Sequence, residues 1–121
     1  MKVPSISNLM PHEQAAVTQY VVLLHERFPR RVLGVTLFGS KARGDADAES
    51  DIDLLVLVDA DDSELRSKLW RLAFDISLEY NVVISPCVFG QARWNESHRL
   101  RLPLSRAVAA EGVLLSLDSA T

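Results

Sequence analysis

The chain has 121 residues, 48% of them hydrophobic and 24% charged, and it carries a net charge of −3. That length supports one domain over residues 1–121, and the apolar content excludes a largely unfolded chain. No apolar run approaches the ~20 residues that span a bilayer, and the negative charge argues against a protein built to grip a phosphate backbone, so neither membrane attachment nor strong nucleic-acid binding is expected.

Pro11 stands where a first helical turn tolerates proline, with Asn8 before it as a potential cap. Val17, Tyr20, Val21, Leu24 and Phe28 follow at helical spacing and predict an amphipathic helix that stops before Pro29. Arg27, Arg30 and Arg31 cluster at its end and read as a solvated terminus that suits the helix dipole. Val32 to Phe38 is short, apolar and β-branched and ends at Gly39, which predicts a buried strand. Ile52 to Val58 predicts a second strand. From Ser63, the apolar residues Leu65, Leu69, Leu72, Ala73, Ile76 and Tyr80 step by three or four, giving a second helix to about Glu79. Val82 to Phe89 reads as a third strand, and Pro86 inside it suggests an edge or a bulge.

The last third predicts helices interrupted at Pro103 and closed near Gly112, then a short strand from Val113, Leu114, Leu115 and Leu117. Trp70 and Trp94 fall on helices and read as packing residues, and His12, His25 and His98 show no metal-ligand spacing. Cys87 is the single cysteine and reads as a buried packing residue. With no disulfide possible and no apolar stretch after Lys2, the chain reads as cytoplasmic. The order helix, strand, strand, helix, strand, helix points to an α/β (α+β two-layer) fold, a small mixed β-sheet with helices packed on it.

Charge is unevenly spread. Nine acids and no Lys or Arg lie between Asp45 and Glu64, whereas Arg93, Arg99, Arg101 and Arg106 share their segment with one acid, Glu96. An acidic stretch is either a solvated loop or a cation site, since hard divalent metals take carboxylate oxygens.

The segment from Phe38 to Leu54 decides between them. Gly39 ends a strand, and a residue without Cβ lets backbone amides approach an anion; the Ser40 hydroxyl adds a donor. Arg43, one turn on, offers a planar fork matched to phosphate oxygens. Lys41 is either a further point charge or a solvated side chain. Asp51 and Asp53 alternate along a strand start, so their carboxylates face one side, with Cα atoms roughly 6–7 Å apart. A pair so placed repels itself unless a cation is shared.

Gly39-Ser40, ten intervening residues, then Asp51-Ile52-Asp53 resembles the signature of the polymerase-β-like nucleotidyltransferase superfamily. The fuller string Gly39-Ser40-Lys41-Ala42-Arg43-Gly44, the Ser50 to Leu54 block and the short length resemble its minimal members, the MNT antitoxins that accompany HEPN-type toxins. The likeness runs from the first strand to Glu111-Gly112-Val113-Leu114.

The resemblance implies the minimal nucleotidyltransferase fold and transfer of a nucleoside monophosphate from an NTP to a hydroxyl, with release of pyrophosphate. It implies that Gly39, Ser40 and Arg43 bind the nucleotide, ATP by preference, and that Asp51 and Asp53 are the catalytic pair that holds Mg²⁺. The implied acceptor is a tyrosine hydroxyl of a HEPN-type toxin; the Arg93, Arg99, Arg101 and Arg106 group is either a docking surface for an acidic partner or a solvated helix face. One departure stands out. The superfamily carries a third carboxylate on the next strand, and Val82 to Phe89 has none, Ser85 being its polar side chain; Asp75 and Glu79 read as surface residues. Either activity is weakened, or a partner supplies the group, or the chain binds nucleotide and neutralises its partner without turnover. The oligomeric state is open, a homo-oligomer included.

Overall fold

The structure, a computed structural model, describes residues 5–47 and 50–115. A 3-10 turn, Ile6–Asn8, leads into α1 (Pro11–Arg27), β1 (Val32–Phe38), the short α2 (Ser40–Arg43) and β2 (Ile52–Val58). Then come α3 (Ser63–Tyr80), β3 (Ile84–Gly90), α4 (Gln91–Arg99), α5 (Pro103–Glu111) and β4 (Val113–Leu115). No helix among the described residues is long and apolar enough to cross a membrane.

The four strands form one mixed sheet in the order β3-β2-β1-β4. β1 runs antiparallel to β2 and to β4, while β2 and β3 are parallel, joined through α3. Period-two alternation gives the sheet two different faces. Val35, Leu37, Leu54, Val56, Ile84 and Val88 meet α1 and α3 in the main core, with Tyr20, Leu24 and Leu69 fully buried beneath them. The Tyr20 hydroxyl donates to the Leu69 carbonyl at 2.9 Å and so ties the two helices together. The opposite face carries Thr36, Phe38, Asp53, Leu55, Ser85, Cys87 and Phe89. There α4 packs Trp94 edge-on against Phe89, centroids 5.4 Å apart. A second helical layer therefore covers part of this face, beyond the two layers expected.

Both central strands match the sequence expectation to the residue. The third begins two residues later than expected, at Ile84, and is an edge strand, which is why Pro86 is tolerated in it. Asn8 does not cap α1. Met10 does, its N–H donating to Glu13 Oε1 at 2.7 Å, while Asn8 Nδ2 reaches the Ala42 carbonyl at 2.7 Å. Trp70 is not a packing residue: it is exposed, in line with Phe74 and Leu78 on the outer side of α3. Cys87 is half-buried on the Asp53 face, and His25 has a buried Nε2 without a partner. Leu117 lies outside the described residues.

Candidate active site

The β1–α2 junction is built on a backbone that excludes side chains. Gly39 has φ +81° and ψ −163°, a region open essentially to glycine alone. A Cβ there would also run into Asp53 Oδ2. Two independent restrictions thus fall on one residue, and the second has a direct consequence. The Asp53 carboxylate lies against the Gly39 turn, so the expected anion-binding turn and one of the expected acids adjoin. Pairing explains it, since Phe38, the last residue of β1, sits opposite Asp53.

Asp51 is exposed at the mouth of β2, and Asp53 is half-buried one pleat further in. Burial, then the Asp51 charge, push the Asp53 carboxyl above its ordinary pKa; Arg43 opposes this and Glu111 adds to it. Two crowded carboxylates with one held up in pKa are a donor set that suits a hard divalent cation. Among the described residues no group of three or more His, Cys, Asp or Glu side chains is arranged to hold a metal. Two carboxylates plus substrate phosphates and waters is nevertheless the usual way Mg²⁺ is held, so the pair fits that ion.

Four other acids of the Asp45 to Glu64 stretch, Asp45, Asp59, Asp61 and Asp62, have structural work. Asp59 and Asp62 flank Arg31, at 2.7 and 3.4 Å, so Arg31 is not part of a solvated terminus. Asp62 also caps α3 by accepting from the N–H groups of Glu64 and Leu65. Asp61 accepts from Arg93 at 2.9 Å and from the Gly90 N–H at 2.9 Å, and Asp45 pairs with Arg43 at 3.1 Å. Arginine hydrogen bonds hold the Asp59 and Asp61 carboxyls below the usual range; for Asp62 the larger cause is its backbone cap. Among the described acids of this stretch, Asp53 lies against the Gly39 turn and Asp51 acts electrostatically on it.

Lys41 is neither a point charge for an anion nor solvated. Its ammonium is buried against Glu13 Oε2 at 2.5 Å and donates to the Asp47 carbonyl at 3.1 Å. It fastens α2 to the start of α1 and holds the loop that leads to Asp51. Arg43 remains at the surface, and Glu111 takes one arm of its fork: Nη1 donates to both carboxylate oxygens, at 3.1 and 3.0 Å. Glu111 Oε1 also accepts from the Gly39 N–H at 3.0 Å. This residue has no role in the sequence reading beyond marking where the likeness ends. β4 brings it in, because Leu37 pairs with Val113, and the same antiparallel register carried two residues further sets Glu111 beside Gly39.

No carboxylate stands on β3. Ser85 is directly opposite Asp53 in the parallel register and shares its face. The arginines expected to dock a partner separate into two kinds. Arg93 is pinned to Asp61 and lies over the Phe89 ring at 3.9 Å, and Arg99 is paired with Glu96 at 2.6 Å. Arg101 and Arg106 line a cleft of about 500 Å³ with His98, Ser105, Ala109 and Ala110, and no acid is among those lining residues.

The nucleotidyltransferase domain family matches residues 20–101, which contain the whole Gly39 to Asp53 constellation. A curated relative from Methanocaldococcus jannaschii, named provisionally as a protein adenylyltransferase, is 33% identical over 104 residues, covering 86% of this chain and 98% of the relative. A second from the same organism, of the same kind, is 45% identical over 56 residues, 46% of this chain and 57% of that one. Among solved structures, a minimal nucleotidyltransferase superposes with a TM-score of 0.55 at 25% identity, over 88% of this chain and 97% of the other. A chain of a toxin–antitoxin complex with AMP-PNP superposes with a TM-score of 0.55 at 21% identity, over 84% of this chain and 75% of that one; it shares the fold.

These likenesses and the site define a minimal nucleotidyltransferase fold of the polymerase-β-like kind. The chain belongs to the nucleotidyltransferase family.

Proposed function

We propose that this protein is a Mg²⁺-dependent protein adenylyltransferase that moves AMP from ATP to a hydroxyl of a HEPN-type toxin and so acts as its antitoxin. The observation that carries the reading is the contact between Asp53 and the Gly39 turn. It supports a phosphate seat and a cation pair lying in one place, as nucleotidyl transfer needs. The relatives support the acceptor class. Two are named as protein adenylyltransferases, and one solved neighbour is an MNT antitoxin in complex with a tri-AMPylated HEPN toxin from Shewanella oneidensis.

In this reading the Gly39 and Ser40 amides and the Ser40 hydroxyl receive the triphosphate, and Arg43 offers its fork to phosphate oxygens. Asp51 and Asp53 would hold Mg²⁺, which would supply positive charge against the phosphates during an in-line displacement. The acceptor oxygen bonds to the α-phosphorus as the bond to the β-phosphate oxygen breaks, and pyrophosphate leaves. The hydroxyl proton goes to a base that β3 does not supply, so the partner brings it. The cleft at Arg101 and Arg106, on the helix pair that ends at Glu111, is where an acidic face of that partner docks.

The absence of a carboxylate on β3 favours a second reading, an antitoxin that binds nucleotide and silences its partner by contact alone. Intact-mass measurement separates the two. The protein is incubated with the product of its neighbouring gene, ATP and Mg²⁺. A partner that gains whole AMP units only when Asp51 and Asp53 are intact establishes transfer. A partner that is bound and silenced at unchanged mass establishes the second reading.

A further inference from the structure

In the structure, two of the groups proposed to seat the triphosphate, the Gly39 N–H and Arg43, are already engaged by carboxylates of the chain itself. The Gly39 N–H donates to Glu111 Oε1 at 3.0 Å, Arg43 Nη1 donates to both Glu111 oxygens at 3.1 and 3.0 Å, and Arg43 Nε donates to Asp45 Oδ2 at 3.1 Å. A carboxylate resting on a backbone N–H and a guanidinium meets the same donors, with the same sign of charge, as a phosphate oxygen would. Glu111 is not a surface residue that happens to reach over. Its side chain is 15% exposed, and the β1–β4 register puts it beside Gly39.

We infer that Glu111 is a stand-in for the nucleotide's phosphate: it holds the seat while the site is empty, gives up Gly39 or Arg43 when a triphosphate arrives, and thereby sets the affinity of the site. This rests on the reading of Gly39 and Arg43 as the phosphate seat.

Three observations carry it. A polyphosphate entering beside Asp51 and Asp53 already meets two carboxylates, and Glu111 is close enough to act electrostatically on Asp53, so leaving it in place adds a third repulsive charge. The Glu111 pair is also built to exchange. Its Arg43 partner is 44% exposed, and ion pairs with one member in water are weak. The neighbouring Lys41–Glu13 pair, buried at both ends, is not of that kind. Finally, Glu111 meets donors, the Gly39 N–H and Arg43 Nη1, as an anion in that seat would.

The test is calorimetric titration of the parent, Glu111→Gln, Glu111→Ala and Gly39→Val, each with Mg²⁺–ATP and with metal-free inorganic tripolyphosphate. Melting temperatures are read without ligand. Glu111→Gln keeps an acceptor for the Gly39 N–H but loses the charge, so it serves if the alanine variant folds poorly. The expected result is a Kd for both probes about tenfold lower in the Glu111 variants, with an unliganded melting temperature no higher than the parent's. A purely structural brace gives the opposite, with melting temperature and affinity falling together. Equal or weaker binding of both probes by Glu111→Gln overturns the inference. Weaker binding of Mg²⁺–ATP alone, with tripolyphosphate unchanged, overturns it in favour of a metal-linked role. Gly39→Val reports separately on the seat: if it binds as the parent does, the seat is misplaced, and that failure is distinct from a failure of the Glu111 comparison. If no variant binds either probe, both readings fall.

Discussion

Replacing Lys41 with methionine tests whether the site rests on a buried ion pair. Lys41 and Glu13 have side chains each 5% exposed, with Nζ and Oε2 at 2.5 Å. Each has one further partner: Lys41 donates to the Asp47 carbonyl, and Glu13 accepts from the Met10 N–H. Lys41→Met leaves the Glu13 carboxylate buried with a single N–H, and breaking a pair this way costs about 3–5 kcal/mol. A domain of this length loses about 4 °C of melting temperature per kcal/mol, so a fall of about 12–20 °C is expected. The double variant Glu13→Leu, Lys41→Met removes both charges and should recover most of the loss. The remaining loss is on the order of 1 kcal/mol for the Met10 N–H that loses Glu13, since the Asp47 carbonyl still accepts from the Ser50 N–H at 3.3 Å. Thermal melting followed by circular dichroism, with urea titration for the free energy, gives all three numbers. Should Lys41→Met melt within about 4 °C of the parent, the pair is not the brace described. The functional consequence is separate. Because Lys41 holds the loop before Asp51, the surviving folded variant should bind Mg²⁺–ATP more weakly although Lys41 faces away from the turn.

Asp51→Asn and Asp53→Asn should each weaken Mg²⁺–nucleotide binding about tenfold or more while leaving the fold intact, read by calorimetry and melting. For Asp53 the sign with pH is set. Burial and Asp51 raise its pKa in the folded state, so its proton is held more tightly there than in the unfolded chain, and stability is lost as pH rises through that raised value. Without metal, Asp53→Asn should therefore melt higher than the parent at neutral pH, with the gap closing as pH falls toward about 4. Ser85→Asp places a third carboxylate opposite Asp53. It should lower the metal-free melting temperature, make Mg²⁺ more stabilising, and raise the rate of AMP transfer if a missing base limits it; an unchanged rate would show that the partner already supplies that base.

The elements were legible because most of them obey one period each. β1 and β2 are apolar runs closed by Gly39 and Asp59, and their bounds follow from composition alone. α3 carries its cap, Asp62, and a clean apolar stripe from Leu65 to Ile76. β3 was misplaced by two residues because Val82 and Val83 are as β-prone as the strand itself. The chain there is still leaving α3 through Asn81, which takes a left-handed conformation with φ 56°. Asn8 was misread because a cap is a geometric relation; the side chain that suits a cap instead reaches across to Ala42, 34 residues away.

The site divides along the same line. Gly39, Ser40, Arg43, Asp51 and Asp53 lie in or beside two strands that pair directly, so their nearness follows from a short connection. Charge alone does not separate these acids from Asp59, Asp61 and Asp62, because arginines distant in sequence neutralise those three: Arg31 for Asp59 and Asp62, Arg93 for Asp61. The two residues that most change the chemistry are placed by register. Ser85 faces Asp53 because β3 is parallel to β2, and Glu111 reaches Gly39 because β4 runs antiparallel to β1. A slip of one residue in either pairing would turn each side chain to the other face of the sheet. The acid pair proposed to hold the metal is therefore readable from a local pattern. What completes or opposes it, a serine where a base is expected and a glutamate where a phosphate is expected, depends on contacts between residues 32 and 72 apart in sequence.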